Sequence, residues 1–215
     1  MTRGYFVTGT GTGVGKTFVT CQLARCARAA GKKVLAFKPI ETGCARVAGR
    51  LVGVDQELIC EAAGDWQTGE LRGVYQFEPP VAPLVAAEQA GVRIDLDQIE
   101  HAVEAGAELS DFVLVEGAGG WRVPITSDVD MSQLAGRLGY PVIVVGLATL
   151  GTINHSLLTL EAVERDGQQV AALVLSKRPE DDAEHVIDNA RRIAMRWKGT
   201  IIIHQDLRDL ASLVV

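Results

Sequence analysis

Short apolar runs alternate along this chain with stretches in which apolar positions recur every three or four residues. The runs are "YFVTG" (5–9), "KVLAFKP" (33–39), "FVLVEGAG" (112–119), "PVIVVGLA" (141–148) and "VAALVLS" (170–176). Half-exposed strands would alternate apolar with polar; these are nearly continuous and predict parallel strands buried on both faces. Helical spacing predicts helices at about 17–30, 55–63, 96–109, 131–138, 153–165 and 181–197. In the first of these the stripe is Phe18, Cys21, Leu23, Ala24 and Ala27. A further strand is predicted at 200–204, followed by a short amphipathic tail whose packing partner the pattern does not give. Strand and helix in alternation imply an α/β fold, a doubly wound and mainly parallel sheet with helices on both faces. At 215 residues, without internal repeat or low-complexity linker, one domain spanning 1–215 is expected.

Between the first strand and the first helix lies "GTGTGVGKT", residues 9–17. Glycines let a loop turn its amide N–H groups inward around an anion, and the helix start adds its dipole and unpaired N–H groups. In a phosphate-binding P-loop, the lysine of "GKT" reaches the terminal phosphates and the hydroxyl after it ligates Mg²⁺. Lys16 and Thr17 take those places. The usual spacing would put glycine at position 10, where this chain has Thr10; with Gly9 as the first glycine the loop is one residue longer.

Ligands of open α/β sheets sit beyond the carboxyl ends of the strands, so the residues there belong together. Lys38 follows the second strand and precedes Pro39, which stops it. A second lysine near a triphosphate can stabilise charge on a transferring phosphoryl group. Glu116 ends the third run, before Gly117, Ala118 and Gly119, where P-loop enzymes place the acid that holds Mg²⁺. Asp55 by itself fits a helix N-cap better than a metal ligand. Asn154 and His155 open a helix after Gly151, where spare N–H groups could hold a carboxylate; His155 itself fits a helix-start residue better than an acid–base catalyst.

Charge and composition narrow the partners. A net charge of −6 argues against a nucleic-acid surface, and the longest apolar runs are too short to span a membrane. Four cysteines, Cys21, Cys26, Cys44 and Cys60, form no CxxC pair and imply reduced thiols, the first two as small core residues of the first helix. With the chain entering a strand almost at once, no targeting segment is expected and a cytoplasmic location is implied.

Taken together, "YFVTGTGTGVGKT", "KPIETG", "FEPPVAPLVAAEQAG", "VLVEGAGGWRVPI" and "LGTINHSLLTLEAV", in that order, resemble the dethiobiotin synthetase family of P-loop NTPases over the chain from its start to about Ser176. The longer phosphate loop is a trait of that family. The resemblance implies a ligase that joins CO₂ to 7,8-diaminononanoate with ATP and Mg²⁺, in biotin synthesis. It assigns Lys16 to the β/γ-phosphates and Lys38 to the carbamate and the transferring phosphate. Thr17, Asp55 and Glu116 become the Mg²⁺ ligands. Gly13, Val14, Gly15, Phe18, Gly117, Ala118, Gly119 and Ser176 complete the nucleotide site, and Thr12 and Thr42 sit by the substrate. It further implies a homodimer in which Leu150, Gly151, Thr152 and Asn154 of one subunit hold the substrate carboxylate of the other.

This chain departs from that pattern at named positions. Gly13 stands where many members of that family have an acidic residue, and Gly11 where some do. "LSKRP", with Ser176 and Lys177, replaces the asparagine that reads the adenine, and serine cannot present a paired amide. Use of other triphosphates such as CTP or GTP is therefore an expectation to test. The rivals are an amidoligase of the same superfamily, for whose usual glutaminase domain the chain has no room, and a dimerising ATPase switch. The switch usually carries an early loop lysine where this chain has Gly11.

Overall fold

The computed structural model describes residues 2–205 and 207–214. The chain runs β1 (Gly4–Gly9), α1 (Lys16–Ala29), β2 (Val34–Phe37), β3 (Ile40–Thr42), β4 (Ala45–Val47), β5 (Arg50–Val52), α2 (Val54–Ala62), β6 (Tyr75–Phe77), α3 (Pro83–Ala90) and α4 (Leu96–Glu108). It continues through β7 (Phe112–Glu116), α5 (Met131–Leu138), β8 (Val142–Leu147), α6 (Thr152–Arg165), β9 (Val170–Ser176), α7 (Ala183–Arg196) and β10 (Ile201–His204). Short 3-10 helices occupy Gly69–Arg72 and Leu207–Leu213.

Six strands pair in the order β10-β9-β8-β1-β7-β2, and every neighbour is parallel. Alternate side chains of each strand leave by opposite faces, which builds two cores. Phe6, Val113, Val115, Val144 and Leu173 pack with residues of α4, α5, α6 and α7, whereas Tyr5, Val7, Leu114, Ile143 and Val174 pack with α1 and α2. The expected doubly wound sheet with helices on both faces is therefore present. Among the described residues no helix is long and apolar enough to cross a membrane.

Several expectations need correction. Phe18 does not join the apolar stripe of α1 but is 44% exposed, and Cys26 is only half-buried. The last helix begins at Ala183 because Asp182 caps it, its carboxylate accepting from the Glu184 and His185 amides. Strands β3 to β6 were not expected; at three residues each they are too short to display a period. Helix α3 was likewise hidden behind three prolines, one of which, Pro83, takes the first helical position. The tail that lacked a partner packs on α1 through Leu210, Leu213 and Val214, and the Tyr5 hydroxyl donates to the Leu213 carbonyl at 2.9 Å.

Strand β2 is an edge, and side chains seal it. Gln67 accepts from the Ala36 amide at 3.1 Å and donates to its carbonyl at 2.8 Å, as a neighbouring strand would. Trp66 donates to the Val34 carbonyl at 2.7 Å, and Gln56 accepts from the Lys38 amide at 2.6 Å. These contacts hold the end of β2, and with it Lys38, in place.

Candidate active site

Strand β1 delivers the phosphate loop to the middle of the sheet, and the Thr10 amide donates to the Val145 carbonyl at 2.9 Å to anchor its first turn. Gly13 and Gly15 both adopt positive φ, +73° and +94°. A Cβ on Gly15 would also meet the Ser176 hydroxyl at 2.6 Å, so only glycine fits there. Helix α1 starts at Lys16 with no side-chain cap, leaving first-turn amides available to an anion. The Lys16 ammonium donates to the Gly11 carbonyl at 3.1 Å and is buried. Burial lowers its pKa to about 8, against the opposing pull of Glu116.

Beside the loop, at the end of β7, the Glu116 carboxylate is inaccessible to solvent yet fully engaged. One oxygen accepts from the Thr17 hydroxyl at 2.8 Å and from the Lys38 ammonium at 3.0 Å; the other accepts from Thr20 at 2.8 Å. Lys38 also pairs with Asp55, on the first turn of α2. Burial alone would lower the Lys38 pKa, but Glu116 and Asp55 outweigh it and hold the ammonium above its ordinary value.

The strand ends enclose a cavity of about 640 Å³. Its floor carries Lys16, Thr17, Lys38, Asp55 and Glu116; Thr12, Gly13, Gly15 and Phe18 form the loop side. Thr42, Ala118 and Gly119 also line it, and an apolar wall comes from Pro80, Val81, Pro83 and Val123. Phe18 stands over His204, with ring centroids 5.2 Å apart.

Other residues singled out from the sequence lie elsewhere. Val14 packs back toward Gly9, Gly117 lies against Phe6 and Met131, and Ser176 is buried behind Gly15. Leu150, Gly151, Thr152 and Asn154 form the turn into α6 and do not reach this cavity within one chain. Leu150 is fully exposed, whereas the Thr152 hydroxyl faces inward, 3.5 Å from that of Ser156. The sequence reading missed Thr20, Glu41 and Gln56. Thr20 stands one helical turn beyond Lys16, Glu41 is the acid inside "KPIETG", and Gln56 adjoins Asp55; those positions were the available signals.

Among the described residues no three His, Cys, Asp or Glu side chains cluster as a metal cage. Mg²⁺ does not require one, since it is commonly held by one or two carboxylates together with substrate phosphates. Thr17, Asp55 and Glu116 present that set of hard oxygen donors, and the Lys38 ammonium lodged between the two carboxylates shows that they accommodate positive charge.

A glycine loop between a central strand and a helix, with a buried carboxylate at the next strand's end, defines the class of P-loop nucleotide-binding proteins. A family model described as an AAA domain matches residues 3–202. Solved structures share the fold. The MinC:MinD cell division complex of Aquifex aeolicus matches with TM-score 0.58 and 16% identity over 99% of this chain and 85% of that one. The signal recognition particle receptor FtsY of Elizabethkingia anophelis gives TM-score 0.57 and 14% identity, over 100% of this chain and 64% of its own. Sequence relatives are more specific. ATP-dependent dethiobiotin synthetase BioD of Anaeromyxobacter dehalogenans (strain 2CP-C) is 45% identical over 192 residues, covering 89% of this chain and 84% of the relative. Its namesake in Nitrosospira multiformis is 39% identical, covering 100% and 95%. The chain belongs to the ATP-dependent dethiobiotin synthetase family.

Proposed function

We propose that this protein forms dethiobiotin from 7,8-diaminononanoate, CO₂ and ATP, a ligase step of biotin synthesis. The observation that carries the reading is the joining of Lys38, Asp55, Glu116 and Thr17 at the floor of a cavity beside the phosphate loop, in a chain of this family. The triphosphate would lie along Gly13–Phe18, with the Lys16 ammonium exchanging its bond to Gly11 for the β/γ-phosphates. Thr17, Asp55 and Glu116 would hold Mg²⁺, which when bound neutralises phosphate charge.

One amine of the substrate captures CO₂ as a carbamate and releases a proton. A carbamate oxygen then attacks the γ-phosphorus, ADP departs, and a carbamic–phosphoric anhydride results. The neighbouring amine attacks the carbonyl carbon, loses a proton and expels phosphate, closing the cyclic urea. Lys38, kept charged by its two carboxylates, would hold carbamate and γ-phosphate together, which suits a reaction that depends on positioning and charge stabilisation. Thr12 and Thr42 offer hydroxyls to the substrate, and the apolar wall of Pro80, Val81, Pro83 and Val123 suits its hydrocarbon chain. A second copy would contribute Leu150–Asn154 to bind the substrate carboxylate, so the active unit would be a homodimer.

The test is ADP release by the purified protein with Mg²⁺ and bicarbonate, with and without the diamine, and with CTP and GTP beside ATP. Turnover should require the diamine and fall by about 100-fold or more in Lys16→Ala and in Lys38→Ala. Diamine-independent hydrolysis would support an ATPase switch instead.

A further inference from the structure

We propose that Glu41 is a positioning residue for the metal site, acting through the backbone of α2. Helix α2 begins after Gly53, which offers no side chain to cap it. The cap comes from Glu41 on β3: one carboxylate oxygen accepts from the Asp55 amide and the other from the Gln56 amide, both at 2.9 Å. Strand alternation sets up this division, since Thr42 opens into the cavity while its neighbour Glu41 turns to the helix. Pairing of Glu41 with Gln76 in the β3–β6 ladder fixes the strand.

The two amides that Glu41 holds belong to residues that build the site. Asp55 faces Lys38, and Gln56 turns back to accept from the Lys38 amide at 2.6 Å. One buried carboxylate thereby sets the rotation of the first turn of α2, and with it the direction of Asp55 and the seat of Lys38. Gly53 bears the mark of this arrangement: a Cβ there would lie 2.3 Å from a Glu41 oxygen, although its φ of −81° suits any residue. A side chain at that position would have to displace the Glu41 carboxylate, whereas the backbone itself would accept one. Groups that orient a ligand typically change metal affinity by about 10–100-fold when removed.

The inference rests on the metal role proposed for Asp55, so its test measures binding apart from turnover. Mn²⁺ would be titrated by electron paramagnetic resonance into the full-length protein carrying a non-hydrolysable ATP analogue. Glu41→Gln keeps the volume but loses one acceptor, and Gly53→Ala displaces the carboxylate without altering its chemistry. Each should weaken Mn²⁺ binding by about tenfold, while analogue affinity in EDTA stays unchanged. Because Glu41 acts through Asp55, adding Glu41→Gln to Asp55→Asn should cost nothing more than Asp55→Asn alone. Mn²⁺ affinity within about twofold of the parent in Glu41→Gln, or losses that multiply in the double variant, would overturn the inference. An unchanged affinity in Asp55→Asn would overturn it together with the metal assignment. Loss of Mn²⁺ in Glu41→Gln alongside diamine-independent turnover in the parent would sustain the inference and reject the synthetase reading.

Discussion

Lys16 and Lys38 lie on the same cavity floor, yet burial and charge drive them in opposite directions. Lys38 has two carboxylates against it and remains an ammonium throughout the neutral range. Lys16 donates to a carbonyl and titrates near 8 in the free protein. A triphosphate favours its charged form, so above that pH nucleotide binding must take up a proton. Without Mg²⁺, affinity for ATP should therefore be about tenfold weaker at pH 9 than at pH 7, measured with a fluorescent analogue, and Lys16→Gln should flatten the dependence. These lysines, with Thr17 and Glu116, were legible in the sequence because each stands in a glycine motif or at the end of an apolar strand. Asp55 read from its residues alone as a helix cap rather than a metal ligand, since an acid at a helix start is accounted for by capping. Glu41 was not legible: its work is done by contacts to backbone amides fourteen and fifteen positions along the chain, which no spacing rule anticipates.

Among the elements, the phosphate loop and the sealed edge of β2 carry the sharpest expectations. Gly15→Ala meets two obstacles, a φ of +94° and the Ser176 hydroxyl. It should destabilise the fold by about 1–3 kcal/mol, seen as a lower Tm, and Ser176→Ala should recover only the steric share. Gln67→Leu would strand the Ala36 amide and the Leu71 carbonyl, which Gln67 now satisfies. A loss of about 1–3 kcal/mol in urea denaturation, with the slope unchanged, is expected. The long parallel strands could be foreseen because burial on both faces leaves a continuous apolar run. The three-residue strands could not, because none is long enough to show a period: β4 and β5 pair with each other in an exposed hairpin through Ala48 and Gly49, and β3 finds its partner β6 far along the chain.

In the molecule as a whole, the turn into α6 that the proposed function assigns to the substrate carboxylate lies apart from the cavity of the same chain. Leu150–Asn154 stands away from the cavity, and Leu150 is wholly exposed. A second copy would give both facts a cause. Sedimentation should show a dimer, and Leu150→Glu should raise the KM for the diamine while the Mg²⁺–ATP affinity of the phosphate loop stays as it was. Attack of a carbamate oxygen of the substrate on the γ-phosphate, which the proposed role of Lys38 serves, leaves its record in the oxygen atoms of the products. With ¹⁸O-labelled bicarbonate and the diamine, the released phosphate should carry one ¹⁸O and dethiobiotin should accumulate in step with it. Phosphate free of the label while dethiobiotin forms would mean that no carbamate oxygen attacks the γ-phosphorus.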